Sequence, residues 1–397
     1  MKKIKVLRII ARLNIGGPAI HTILLLEGLD KAKFESVLVT GKTGRAEGDM
    51  LYLAQEKGVQ PVIIPELGRD LNIFNDFIAF WKIFNLIRRQ RPDIVHTHTA
   101  KAGTLGRLAG LLYKILFGLQ PAGRRLKLVH TFHGHVLHSY FNRTKTAIFV
   151  IIERFLALFT DRIIAVSERV KEDLLSFKIA TPEKIVTVRL GLELEKYLKI
   201  EKSEQAAGDN CRSIGIVGRL VPVKNHQMFL DVAKRIKNEF NGREKIRFLV
   251  VGDGPLRGEL ENYTRKLGIM QDVDFTGWIK DLARIYSELD IAVLTSLNEG
   301  TPVALIEAQA ACCPCVATTV GGAADVIEDG KSGFLVPSQD SERLFQAIVD
   351  LLNDPKKMRE MGRFGRDRVR DKFDKKRLIR DIESLYLQEL VYRKDSP

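Results

Sequence analysis

Apolar positions along the chain fall into short runs separated by longer amphipathic stretches. Residues 5–10 (KVLRII) form the first run and lead to Gly16-Gly17, and residues 19–29 continue at helical spacing. Further runs at 36–40, 93–97, 127–131, 162–166 and 184–188 alternate with helical patterns. Strand-then-helix alternation predicts a parallel, doubly wound sheet. Residues 193–212 are polar and poor in pattern, which marks the best linker. The pattern then restarts with a strand at 213–217, a helix at 225–240, a strand at 247–251 and a turn at 252–255 into a helix at 256–267. Later strands are expected at 273–276, 291–294, 315–317 and 333–336. Two βα halves, each opening on a strand and a glycine turn, predict two Rossmann-like α/β domains facing a central cleft, at residues 1–195 and 196–374.

Charge changes this picture more than composition does. The net charge is +14, and residues 1–200 carry all of it, with 32 Lys+Arg against 18 Asp+Glu. A basic first half suits an anionic membrane or nucleic acid. Residues 80–91 (FWKIFNLIRRQR) and 111–127 mix cations with large apolar side chains, as an interfacial segment would. The apolar run at 147–159 holds Glu153 and Arg154 and is too short to span a bilayer. The N-terminal run reads as a first strand rather than a signal peptide. Cys211, Cys312, Cys313 and Cys315 make a poor disulfide or zinc framework and suggest a reducing compartment.

The chemistry concentrates in residues 296–322. Glu299 and Glu307 stand eight positions apart, with Thr301 and Pro302 placed as an N-cap and first-turn pair. Glu299 is expected in a loop and Glu307 inside the helix, whose first amides (residues 303–306) offer an anion site. A polyol with a phosphate tail fits such a place. Gly218-Arg219-Leu220 followed by Lys224 leaves the first strand of the second half, a fork donor and an ammonium suited to a diphosphate. Gly16-Gly17 lets backbone amides approach a phosphate but lacks the dinucleotide spacing. His133, with His135 as a weaker candidate, and His98 with Lys101, end strands of the first half. Asp272-Val273-Asp274 reads as structural, and no catalytic metal is expected.

These residues resemble retaining glycosyltransferases of family 4, which have the GT-B fold. The family's E-G-x-P, E-A, Pro and Gly-Gly pattern is met by Glu299, Gly300, Pro302, Glu307, Ala308, Pro314, Gly321 and Gly322. Cys313 stands where the family has Gly, which puts the local backbone in question. The segment Gly218, Arg219, Leu220, Lys224 matches the diphosphate-holding segment. The family's His after T-F, beside the reacting sugar carbon, is matched by His133. The segment from His98 through Lys101 to Arg107 resembles one that faces the acceptor, and Ser167-Glu168 matches a family segment of unassigned role. The resemblance also implies that the helix at 375–397 packs back on the first domain.

The implied function is transfer, with retention, of a sugar from a UDP- or GDP-sugar to a hydroxyl, a hexosyltransferase-type reaction. The acceptor side is the first domain and the donor side the second. Catalytic residues would be His133, Glu299, Arg219 and Lys224. Donor contacts would come from Gly16, Gly17, Gly218, Gly300, Thr301, Pro302, Leu305 and Glu307, with His98 and Lys101 on the acceptor side. No cofactor is expected. The acceptor would be a lipid-linked glycan or cell-surface polysaccharide precursor, met by a cytoplasmic protein in peripheral contact with the inner face of the cell membrane. A GT-B nucleotide-sugar epimerase is the alternative enzyme. A nucleic-acid-binding protein is the alternative from another class, although no recognition motif supports it.

Overall fold

The computed structural model describes residues 2–44, 48–68, 72–118, 126–134, 143–202 and 211–391. The chain divides into two compact units, Met1–Leu192 with Lys375–Pro397, and Glu193–Asp374.

In the first unit, β1 (Ile4–Arg12), β2 (Phe34–Gly41), β3 (Val62–Ile63), β4 (Ile94–His98), β5 (Lys127–Phe132), β6 (Arg162–Ala165) and β7 (Ile185–Thr187) form one sheet. Its order is β3-β2-β1-β4-β5-β6-β7, with every neighbouring pair parallel. In the second, β8 (Cys211–Val217), β9 (Lys245–Val251), β10 (Val273–Gly277), β11 (Ile291–Leu294), β12 (Cys315–Thr318) and β13 (Gly333–Val336) run β10-β9-β8-β11-β12-β13, again all parallel. Strands covered on both faces read as unbroken apolar runs. Every position of β11 and β12 is accordingly buried. Only β3 escaped the sequence pattern: it has two residues, both exposed. Strand order reverses between β1 and β4 and between β8 and β11, and ligands of such sheets bind at the carboxyl ends flanking the reversal.

The helix Lys375–Val391 belongs to the first unit. Leu378, Ile382, Leu385 and Tyr386, spaced as one helical face, join Val6, Leu25 and Ile94 in a single core. The amide of Asp30 donates to Glu383 Oε1 at 2.7 Å, and Arg162 pairs with Glu389 at 2.6 Å.

The polar stretch at 193–202 is not a free linker but a packed part of the second unit. Tyr197, on the short helix Glu195–Leu198, is buried. The Lys202 ammonium donates to the carbonyls of Tyr286, Ser287 and Leu289. These carbonyls close the helix Leu282–Glu288, where a cation is favoured. Residues 203–210 lie outside the described residues.

No helix among the described residues is long and apolar enough to cross a membrane. The first unit does expose apolar helix faces. Ile73, Phe74, Phe77, Ile78 and Trp81 lie open on the helix Ile73–Gln90, whose Ala79, Ile83, Phe84 and Ile87 face the core. Ile148, Ile151, Phe155 and Leu158 lie open on the helix Arg143–Phe159.

Candidate active site

In the second unit the turn after β8 and the loop after β11 flank the strand reversal. Thr295 Oγ1 donates to the carbonyls of Lys224 and Asn225, both at 2.9 Å, and the Leu297 amide donates to Val223 O at 2.8 Å. These bonds tie the loop to the turn. Lys224 Nζ then reaches Glu299 Oε1 at 2.5 Å, and Ser296 Oγ donates to the same oxygen at 2.6 Å. Glu299 Oε2 has no partner among the described residues, so it is open to a hydroxyl donor. The Arg219 side chain likewise has no hydrogen bond or ion pair among the described residues. One cation is therefore held by a carboxylate while the other is available to an anion.

The Gly-Gly turn braces this loop. Gly321 has φ +51°, and a Cβ there would overlap the Glu299 carbonyl. The Gly322 amide donates to Gly300 O at 2.7 Å. The helix starts one residue later than the capping pattern suggests, as Val303–Ala310 with Pro302 at the N-cap and no side-chain cap. Proline's side chain offers no acceptor, so the residue at the N-cap position makes no side-chain cap bond. The amides of Leu305 and Ile306 turn to Pro302 O, and those of Val303 and Ala304 have no acceptor within the helix. The Leu305 side chain is buried in the core.

Glu307 sits a turn and a half into this helix, half-buried. Tyr197 Oη donates to its Oε1 at 2.9 Å and Tyr286 Oη to its Oε2 at 3.2 Å. Burial raises the carboxyl's pKa above the ordinary glutamate value, while the Tyr197 bond, the Lys196 charge and the Tyr286 bond pull it back. Burial beside this carboxylate pushes both tyrosines upward. Each carboxylate oxygen keeps a lone pair for a further hydroxyl.

Asp272 and Asp274 each meet a cation, Lys237 and Arg247, at 2.5 Å. In the cysteine run the left-handed backbone falls at Cys312 (φ 57°) and not at Cys313. Cys313 is buried, and its thiol donates to Leu289 O. Burial raises the pKa of Cys313 and Cys315, which keeps them as thiols.

In the first unit His98 ends β4 and His133 follows β5, and the two meet, His98 Nδ1 to His133 Nε2, at 2.9 Å. Burial pushes the His133 imidazole down to about 3 and His98 well below its usual range, so both are neutral. Gly16 caps the helix Gly17–Gly28, which carries His21 onto the same cluster, its ring centroid 5.0 Å from that of His133. Lys101 turns to Asp76 at 2.6 Å rather than standing open for an acceptor. Arg107 is wholly buried, with Nη2 2.8 Å from both oxygens of Glu153, and serves the core rather than a ligand. Ser167 caps the helix Glu168–Ser176 through the Val170 amide at 3.1 Å. His135 lies outside the described residues.

A family model described as Glycosyltransferase Family 4 matches residues 15–196, and one described as Glycosyl transferases group 1 matches residues 211–354. The chain is a GT-B glycosyltransferase. It is 29% identical over 343 residues to the Escherichia coli UDP-Gal:alpha-D-GlcNAc-diphosphoundecaprenol alpha-1,3-galactosyltransferase, covering 85% of this chain and 86% of that one. It is 26% identical to the capsular polysaccharide biosynthesis glycosyltransferase CapM of Staphylococcus aureus, covering 82% and 84%. Anabaena HepE, solved with UDP and glucose, superposes with a TM-score of 0.77 at 20% identity over 96% of this chain and 99% of that one. Sucrose-phosphate synthase from Thermosynechococcus elongatus gives 0.78 at 20% identity over 97% and 99%. Sequence reasoning about this glycosyltransferase missed Tyr197, Tyr286, Ser296 and His21. Tyr197 was hidden in a stretch read as linker. Ser296 stands three residues before Glu299, a spacing that lets a hydroxyl reach back to a loop carboxylate. His21 follows Gly17 by one helical turn, the signal that could have placed it beside the strand ends.

Proposed function

We propose that this glycosyltransferase moves a sugar from a UDP- or GDP-sugar to a hydroxyl of a lipid-linked glycan or polysaccharide precursor, with retention at the anomeric carbon. The observation that carries the reading is the Lys224–Glu299–Ser296 knot, braced by Gly321 and followed by Glu307 on an uncapped helix. Glu299 Oε2 accepts donor-sugar hydroxyls. Glu307, oriented by two tyrosines, accepts the ribose hydroxyls. Arg219, Lys224 and the amides of Val303 and Ala304 stabilise the diphosphate as its charge develops on bond cleavage. His133 is neutral and lines the side of the reacting carbon. These protein charges do the work in the donor site without a metal.

The second unit is the donor half and the first the acceptor half. HepE, with its UDP and glucose, and the E. coli galactosyltransferase, whose name specifies UDP-Gal and a diphosphoundecaprenol acceptor, support the donor and acceptor classes. The enzyme works at the inner face of the cell membrane. The open apolar side chains at 73–81 and 148–158 enter the interface, while Arg88 and Arg89 meet anionic headgroups at roughly 1 kcal/mol each. The test is transfer from UDP- and GDP-sugars to polyprenyl-diphosphate sugars, on anionic and on neutral vesicles at low and high salt. Transfer to a water-soluble acceptor alone, with equal sedimentation on both vesicles, defeats the lipid-linked reading. A free epimer formed without acceptor defeats transfer itself.

A further inference from the structure

Among the described residues, five histidines gather toward the carboxyl ends of β4 and β5 and the helix after β1, and they divide by how their nitrogens are used. His96 is fully occupied: its Nδ1 accepts from Tyr386 Oη at 2.6 Å and from Arg8 Nη1 at 3.1 Å, and its Nε2 bonds Thr131 Oγ1 at 2.7 Å. Because an arginine only donates, His96 carries its proton on Nε2. His130 Nδ1 bonds Thr97 Oγ1 at 2.8 Å. His21, by contrast, is fully buried with neither ring nitrogen partnered, and His98 Nε2 is also buried without a partner. His98 Nδ1 and His133 Nε2 face each other with one proton between them. One ligand atom from each of His21, His98 and His133 lies within 4.8 Å of the others.

We propose that His21, His98 and His133 form a three-imidazole site for a late first-row divalent metal ion, with zinc as the biological candidate. Buried polar groups left without partners are costly, and one ion can engage a nitrogen of each ring where now a single proton serves two. Three neutral imidazoles are the donor set that Zn2+, Co2+, Ni2+ and Cu2+ prefer, and they leave a fourth position for water or another ligand. His133, Arg8 and Arg377 all disfavour positive charge on His21, so an ion there is held by coordination against a positive field. Hard cations that need carboxylates, Mg2+ and Ca2+, therefore do not compete. The site lies in the first unit, whereas Arg219, Lys224 and Glu299 lie in the second. An ion on His133 withdraws that ring from the reacting carbon, so it inhibits transfer; this clause alone rests on the function proposed above.

The full-length protein, stripped with chelator, is titrated with Co2+ and followed by visible d–d absorption. We expect one Co2+ per chain, bleached by Zn2+, unaffected by millimolar Mg2+ or Ca2+, and free of thiolate charge transfer. His21→Gln and His98→Gln, checked for folding by circular dichroism, weaken Co2+ binding at least about 100-fold, since each removes a direct ligand. If neither variant folds, X-ray absorption on the zinc-loaded wild type decides, with three imidazoles near 2.0–2.1 Å expected. No saturable band, sulfur in the shell, or undiminished binding in both folded variants overturns the site. Zinc should also lower transfer by the wild type and spare His21→Gln. Binding without inhibition supports the metal site and overturns the role given to His133.

Discussion

Replacing Glu307 by Gln separates the donor-binding role proposed above from the residue's part in folding. Its carboxylate accepts Tyr197 Oη at 2.9 Å and Tyr286 Oη at 3.2 Å. A hydroxyl bond to a charged acceptor is worth about 1.5–3 kcal/mol and to a neutral one about 0.5–1.5 kcal/mol. The glutamine carbonyl still accepts from Tyr197 Oη, at a loss of about 1 kcal/mol, while its NH2 faces Tyr286 Oη, whose proton can turn to Ala304 O. Against that, the variant no longer holds a charge where burial disfavours one, the effect that raises this carboxyl's pKa. The opposed terms leave stability within about 1 kcal/mol, a melting shift of roughly 2–4 °C for a unit of this size. Nothing offsets the loss at the ribose. Exchanging a charged for a neutral acceptor there costs about 1 kcal/mol per ribose hydroxyl, or roughly 5–30-fold in nucleotide affinity for one or two bonds. Calorimetric titration with UDP and GDP, beside a melting curve on the same sample, reads both quantities. Tyr197→Phe should lie between wild type and Glu307→Gln in affinity. An unchanged nucleotide affinity with an unchanged melting point would remove Glu307 from the donor site. A melting drop beyond about 10 °C would make it structural instead.

Arg219→Ala and Lys224→Ala should each lower turnover at least about tenfold in a steady-state assay, and chelator should not lower it; a strict divalent requirement would refute stabilisation by protein charge alone. Cys312→Gly should raise the melting point, by about 0.5–1 kcal/mol of relieved left-handed strain, while Cys313→Gly should lower it through lost packing; the opposite order would contradict the backbone assignment. Because Glu307 must be ionised to accept ribose, nucleotide affinity should fall as pH drops through its raised pKa, and Glu307→Gln should lose that slope. His226, held down to about 4 by burial and then by Lys224, is neutral in the fold, so its contribution is complete above about pH 6.5 and is lost as pH falls toward 4. At pH 5 that loss is about 2 kcal/mol, and urea midpoints of wild type and His226→Gln should converge in their pH slopes if it is absent.

Both sheets were legible because parallel strands covered on two faces leave apolar runs that glycine turns punctuate. The strands at 291–294 and 333–336 fall as expected, since nothing competes with burial there. The loop that carries Glu299 was legible as a candidate site through residue type and spacing, as Glu299, Glu307 and Lys224 are polar groups in a pattern that packing does not demand. What stayed hidden depends on contacts far apart in sequence. Tyr197 reaches Glu307 across 110 positions, and no local period signals that bond. Lys101 and Arg107 share a helix and a motif, yet Asp76 and Glu153 claim them. The left-handed residue moved from Cys313 to Cys312 because the helix ends at Ala310 and its exit sets the backbone. The open apolar face at 73–81 begins nearer the helix start than composition suggested, since Phe84 and Ile87 turn to the core.

The helix Lys375–Val391 also dictates an order of completion during synthesis. The first unit is interrupted along the chain, and the Asp30 amide waits for Glu383, 353 positions later. The second unit, Glu193–Asp374, is contiguous and contains all its own strands. The half that the ribosome begins second is thus the half that can finish first. Until residue 375 and its successors emerge, Val6, Leu25 and Ile94 line an open apolar seam, the kind of surface that chaperones and proteases recognise. A chain cut short before this helix carries its own mark of incompleteness, an apolar seam left open beside Val6, Leu25 and Ile94.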